Sequence, residues 1–284
     1  MEIENQLKNR LLEIRKNEWA IPKGIDVWQF ALEMMDNIGS TDPELRDELV
    51  LELVCRMIIK KVLPKEQIRE ILDISLSDKH LFHQLGEEDD DSVFNRAFTI
   101  LVVRWIIYYH NTFGEDLLSE EEMLKVFEDV IRYVRLEKDT RGYVQDKGWA
   151  HAAAHSGDAL RTFALCNYLK EKQLMQILEV IKEKANISYY VYVNEETERL
   201  TSAVVNVIDR NVLGEREVVG WIRSFEDIEK PSNYPEAHYW NENIKGLLRS
   251  LYFRLKFRKA PSIFTDEIEQ VLNSINSFFN GISV

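Results

Sequence analysis

The chain has 284 residues with 36 Lys and Arg against 49 Asp and Glu, a formal net charge of −13 that disfavours broad attraction to nucleic acid or to an anionic bilayer. Its 45% hydrophobic and 30% charged composition is that of a folded soluble protein, and 11 Gly and 6 Pro argue against long disordered linkers. Two cysteines, Cys55 and Cys166, with no CxxC pair, exclude a disulfide framework or a cysteine-rich zinc site and fit a reducing cytosol.

In chain order the predicted elements are helices. The opening MEIENQLKNRLLEIRKNEW is charged and has no apolar core of a secretory signal; Asn5 to Lys16 has apolar residues at helical spacing. Gly39-Ser40-Thr41-Asp42-Pro43 stops one helix and starts the next, with Asp42 as N-cap, Pro43 in the first position and a long helix to about Val62. Pro64 opens a helix to about Leu76. The acidic loop Glu87 to Asp91 precedes an apolar helix from Val93 to Tyr109, whose run is too short, and too broken by Arg104, to span a membrane. Ser119 with Glu122 forms a capping box for a helix to about Leu136.

The next helix contains WAHAAAHSGDAL, with Asp146 as a possible cap and Gly142 and Gly148 allowing tight backbone before it. Helices follow over Lys172 to Lys184, Glu195 to Ile208, Glu217 to Glu229, Glu242 to Lys259 and Asp266 to Phe279, with Gly281 as a stop. Only Ile187 to Val193 reads as extended, or as a packed loop. About a dozen antiparallel helices, or roughly six pairs of about forty residues, match the period of HEAT or armadillo repeats. The expectation is an all-α, HEAT-like α-solenoid forming a single domain over 1–284, with a globular helical toroid as the alternative.

With Trp149 on this helix, at about 100° per residue, His151, His155, Asp158 and Thr162 form one polar strip opposite it. Trp149, Ala153, Leu160 and Ala164 then face the core, and alanines flank the strip. In a solenoid such a helix lines the concave surface. Two imidazoles four residues apart with a carboxylate one turn on suit metal ligation or paired proton transfer. There is no HExxH, so no general base is built into the motif. The same strip also suits an organic or peptide ligand, or imidazoles merely hydrogen-bonded to neighbouring helices. Arg141 and Lys147 just upstream add cationic groups, and Arg141 next to Asp139 and Glu137 reads as an ion pair or as a carboxylate or phosphate clamp.

Elsewhere the residues read as structure. Arg96 and Arg104 are expected to pair with carboxylates such as Asp42 or Asp47, and Arg46 and Asp47 to tie helices together. Lys245, Arg249, Lys256 and Lys259 form a basic stripe, either an anionic-partner surface or a solvated flank. There is no calcium loop, P-loop, GxGxxG or GxSxG.

The strings GSTDPELRDEL (39–49), SVFNRAF (92–98), EKDTRGYVQDKGWAHAAAHSGDAL (137–160) and IKGLLRSLYFRL (244–255) resemble a bacterial family known only as domain of unknown function 2785. Its G-W-A-H-x-x-x-H-x-x-D core stands here at Gly148, Trp149, His151, His155 and Asp158, with Ser156-Gly157 where the pattern has Gly-Ala. The resemblance implies an all-helical protein and points to the same site, but supplies no reaction.

The functional expectation is therefore a cytoplasmic helical-repeat protein whose polar groove binds a small ligand or a peptide or protein partner. The candidate contacts are Arg141, Lys147, Trp149, His151, His155, Asp158 and Thr162. The alternative is a metal-dependent hydrolase with His151, His155 and Asp158 as ligands to a divalent metal, the one cofactor in prospect. Nucleic-acid and membrane partners are not expected.

Overall fold

The computed structural model of the protein describes residues 2–113 and 117–276. Among these the chain is all-α apart from one two-stranded ribbon. It divides into two compact units, residues 1–155 and 156–284.

The first unit opens with α1 (Glu2–Lys16) and α2 (Val27–Asp36). The second of these is absent from the sequence reading; Asp26 caps it, its carboxylate accepting from the Trp28 and Gln29 amides at 3.0 and 3.1 Å. Asp42 is the start signal expected of it, accepting from the Leu45 amide at 3.1 Å. Burial works to raise its pKa, but the Lys8 ammonium at 2.6 Å and the helix amides outweigh that and hold it below the ordinary value. The helix that follows is wound in two ways. Glu44–Leu51 is a widened π turn and α3 (Glu52–Ile59) is regular.

After α4 (Lys65–Ser75) comes α5 (Ser92–Phe113), the centre of this unit. It is buried nearly all round because the π segment, α3 and α4 all pack on it. Each fully buried large aliphatic side chain contributes about 1.5–3 kcal/mol relative to exposure. Then α6 (Glu120–Leu136) starts at the expected capping box: the Glu122 amide donates to Ser119 Oγ at 3.3 Å and the Ser119 amide to Glu122 Oε2 at 2.8 Å. Its buried Met123, Val126, Phe127, Val130, Ile131 and Val134 fall on the helical period. The strands β1 (Tyr143–Val144) and β2 (Gly148–Trp149) pair antiparallel, Tyr143 opposite Trp149 and Val144 opposite Gly148.

The division between units falls inside α7 (Ala152–Ala164). In the second unit, α8 (Glu171–Ala185) packs on α9 (Glu196–Asp209), α9 on α11 (Glu236–Phe257), and both α10 (Glu215–Arg223) and α11 on α12 (Ser262–Ile275). Residues 187–193 form no strand. Asn243 stitches them down as a loop, donating to the Ile187 and Tyr190 carbonyls at 3.2 and 2.8 Å and accepting from the Tyr192 amide at 2.9 Å. The tenth helix stops at Arg223, short of the expected Glu229. The expected end at Phe279 and stop at Gly281 lie outside the described residues. No described helix is long and apolar enough to cross a membrane.

Candidate functional site

The expected histidine helix begins three residues later than Trp149. The chain first turns through the ribbon, where Asp146 and Gly148 both take positive φ, 64° and 76°. Asp146 therefore belongs to the turn and does not cap α7; its carboxylate accepts from Gln145 Nε2 at 3.0 Å. Gly148 is required on two counts: a Cβ there would lie 2.7 Å from Pro43 Cβ, and its φ is left-handed. His151 also has positive φ, 58°, a strained conformation for a non-glycine residue. It is fixed at both backbone ends: its amide donates to the Arg141 carbonyl at 3.0 Å, and its carbonyl accepts from the His155 amide at 3.0 Å. Trp149 and His151 thus lie outside the helix, and a single strip at helical spacing does not exist.

Exposure also departs from the expectation. His151, His155, Asp158 and Thr162 are only 6, 8, 8 and 5% exposed, whereas Trp149, expected in the core, is 39% exposed. His155, Asp158 and Thr162 of α7 each have a protein partner. His155 Nδ1 donates to the Ala97 carbonyl at 2.9 Å, which places the ring proton on that nitrogen. Asp158 Oδ2 accepts from Arg199 Nη1 at 2.5 Å, and Thr162 Oγ1 donates to the Asp158 carbonyl at 3.0 Å. The histidines hold to elements of the first unit, and Asp158 holds to α9 in the second. Among the described residues no group of three or more His, Cys, Asp or Glu is placed to hold a metal ion. Three surface cavities of about 410, 390 and 330 Å³ are lined by other residues.

What the first unit does build is a ladder of rings running from solvent to core. Tyr143, 58% exposed, meets Trp149 edge-on with centroids 5.2 Å apart. Trp149 stacks on His151 at 4.7 Å with planes inclined by 19°. His151 meets His155 at 5.6 Å, and His155 meets the buried Phe98 at 5.3 Å, both edge to face. Offset and edge contacts of this kind add about 0.5–1.5 kcal/mol each beyond burial.

Below the ribbon lies Arg46, wholly buried. Its guanidinium sits over the Phe94 and Phe98 rings at 4.2 and 4.6 Å and donates to the carbonyls of Ser40, Lys147 and Trp149 at 2.5, 2.7 and 3.2 Å. Burial pulls its pKa down to about 10, against the opposing pull of Asp47, Asp42 and Asp91, so it stays charged at neutral pH. Arg46 thus does not tie helix to helix as expected: it binds the backbone carbonyls of Ser40 and of the ribbon segment and, among the described residues, no carboxylate.

Arg141 and Lys147 bind the acidic loop. Arg141 Nη2 donates to Asp139 Oδ2 at 2.6 Å and to the Asp90 carbonyl at 2.7 Å, and Lys147 reaches Asp91 at 2.6 Å. Asp139 and Glu87 to Asp91 leave these two cations matched. Arg96 pairs with Glu137, not with Asp42 or Asp47. In α11 the basic stripe is broken: Lys245 is buried and paired with Glu242 at 2.6 Å, while Arg249, Lys256 and Lys259 are exposed.

Of the candidate residues, the fold brings Trp149, His151 and His155 together and leaves Asp158 and Thr162 with α9 and their own helix. Tyr143 was missed. The signal was present: two aromatics bracket Gln145-Asp146-Lys147-Gly148, a turn sequence that makes them cross-strand neighbours.

No curated protein and no solved structure matches the chain. A family model described as "Protein of unknown function (DUF2785)" matches residues 81–253, more than half of the sequence and all of the ribbon and of α7. The chain belongs to this family.

Proposed function

We propose that the protein is a cytoplasmic, HEAT-like helical scaffold that binds a peptide or protein partner, and that the contact is the aromatic ledge formed by Tyr143 and Trp149. One observation carries this reading: a tryptophan 39% exposed is stacked on a buried imidazole and held by its own carbonyl to a buried arginine. Exposed aromatics fixed by their surroundings lose little entropy on binding and are the typical anchors of interfaces. His151 and His155 act here as the backing of the ledge, not as its contact atoms. Packing of helices on near neighbours in sequence, α8 on α9 and α11 on α12, supports a repeat-like arrangement within the second unit.

The test is a photo-crosslinking amino acid at position 143 in the producing cell. A discrete crosslinked species is expected, and it should vanish when Trp149→Ala is added. A pattern no different from that of the probe at the exposed Tyr234 would end this reading.

A further inference from the structure

The ribbon that carries the ledge is tied to the most acidic segment of the chain. Glu87, Glu88, Asp89, Asp90 and Asp91 run without interruption, and the first four are exposed. Two bonds hold this loop to the ribbon: Lys147 to the Asp91 carboxylate and Arg141 to the Asp90 carbonyl. Carboxylates already answer both of these cations, Asp139 for Arg141 and Asp91 for Lys147. Among the described residues the Glu87 and Glu88 carboxylates have no ion-pair or hydrogen-bond partner, and Asp89 has only a 3.7 Å approach from Arg141. Asp146 adds a further carboxylate in the turn between Tyr143 and Trp149. The ledge therefore presents two partly exposed aromatic side chains beside an excess of negative charge, on a chain whose net charge is −13.

We infer that the partner of the ledge is a basic peptide segment, whose lysine or arginine side chains lie over Trp149 and Tyr143 while facing the 87–91 loop. This rests on the ledge being the contact surface. An aromatic face attracts a cation through its quadrupole, most strongly for tryptophan. Unmatched carboxylates nearby raise the local concentration of cationic segments and speed their encounter, while repelling acidic ones. An anionic ligand would meet no unanswered cation at this surface, since Arg46 lies wholly buried beneath the ribbon.

The experiment uses the full chain and three fluorescein-labelled peptides of equal length on one glycine-leucine frame, with the variable positions all Lys, all Gln or all Glu. Anisotropy should show the Lys peptide bound roughly tenfold more tightly than the Gln peptide, with the difference shrinking as salt is raised. Trp149→Ala should weaken Lys-peptide binding by about three- to tenfold. Glu87→Gln with Glu88→Gln touches no paired side chain, and should weaken the Lys peptide while leaving the Gln peptide unchanged. Equal binding of all three peptides, each lost in Trp149→Ala, overturns the basic partner and leaves the ledge standing. Lys-peptide binding indifferent to Trp149→Ala and Tyr143→Ala overturns both. Absence of Lys-peptide binding overturns the basic partner, and the crosslink at position 143 then decides the ledge by itself.

Discussion

Arg96 and Glu137 form a two-pronged ion pair out of reach of water: Nε donates to Oε2 at 2.5 Å and Nη2 to Oε1 at 3.0 Å, with side chains 0 and 3% exposed. The remaining donors are also used. Arg96 Nη1 bonds Ser92 Oγ at 2.7 Å and the His83 and Gln84 carbonyls at 3.0 and 3.1 Å, and Glu137 Oε1 accepts from the Asp139 amide at 2.9 Å. Glu137→Ala strands a buried guanidinium, which costs about 3–5 kcal/mol, more than the intact pair need contribute. Urea unfolding should show that loss, with Glu137→Gln losing less because it keeps acceptors in place. A loss below about 1 kcal/mol would mean that water reaches Arg96.

Two helical glycines should respond in opposite directions to the same change. A Cβ on Gly157 would lie 2.8 Å from the Arg199 carbonyl carbon and the Leu200 amide, backbone atoms of α9 that cannot swing aside. Gly157→Ala is therefore expected to cost about 1–3 kcal/mol despite the better helix propensity. A Cβ on Gly220 in α10 would meet nothing within 4 Å, so Gly220→Ala should gain up to about 1 kcal/mol. Opposite shifts in melting temperature check the pair.

His155 is read as part of the core. Its alanine variant loses the bond to the Ala97 carbonyl and the edge contact with Phe98, and leaves a cavity, at about 2–3 kcal/mol. His151→Gly should behave differently. It relieves the positive φ, worth about 1 kcal/mol, but removes the ring under Trp149. The expected result is near-native stability with a Trp149 more accessible to acrylamide quenching. Unchanged quenching would show that the indole is held by the ribbon alone.

Most of the helices were legible because their signals are local, α2 being the exception. The Asp42 and Ser119 caps and the apolar period of α6 need nothing from the rest of the chain. The site was not legible, because its geometry depends on the turn before it. Read as helix from Trp149 onward, the motif points histidines outward and tryptophan inward. Left-handed φ at Asp146, Gly148 and His151 reverses that, and only the glycine of the three announces such a conformation in sequence. Arg46 was equally hidden, since two of its three partners are carbonyls about a hundred residues away, and backbone acceptors leave no trace in residue type. Burial of Asp158 against Arg199 was likewise a matter of tertiary packing, not of spacing along α7.

A pH dependence follows from His80, a side chain outside the ledge. The residue is 6% exposed, with Nδ1 at 3.4 Å from Asn95 Oδ1. Burial disfavours the imidazolium and pushes its pKa below the ordinary 6.5, against the weaker support of Asn95 and Asp36. The sign is set by which state binds the proton more readily. The unfolded chain takes it up first as pH falls, so the folded state is penalised progressively below about pH 6.5 and unaffected well above it. Urea unfolding at about pH 8 and about pH 5.5 should show a loss on acidification that is smaller in His80→Gln, which cannot be protonated. Equal losses in both proteins would place the imidazole in contact with solvent in the folded state.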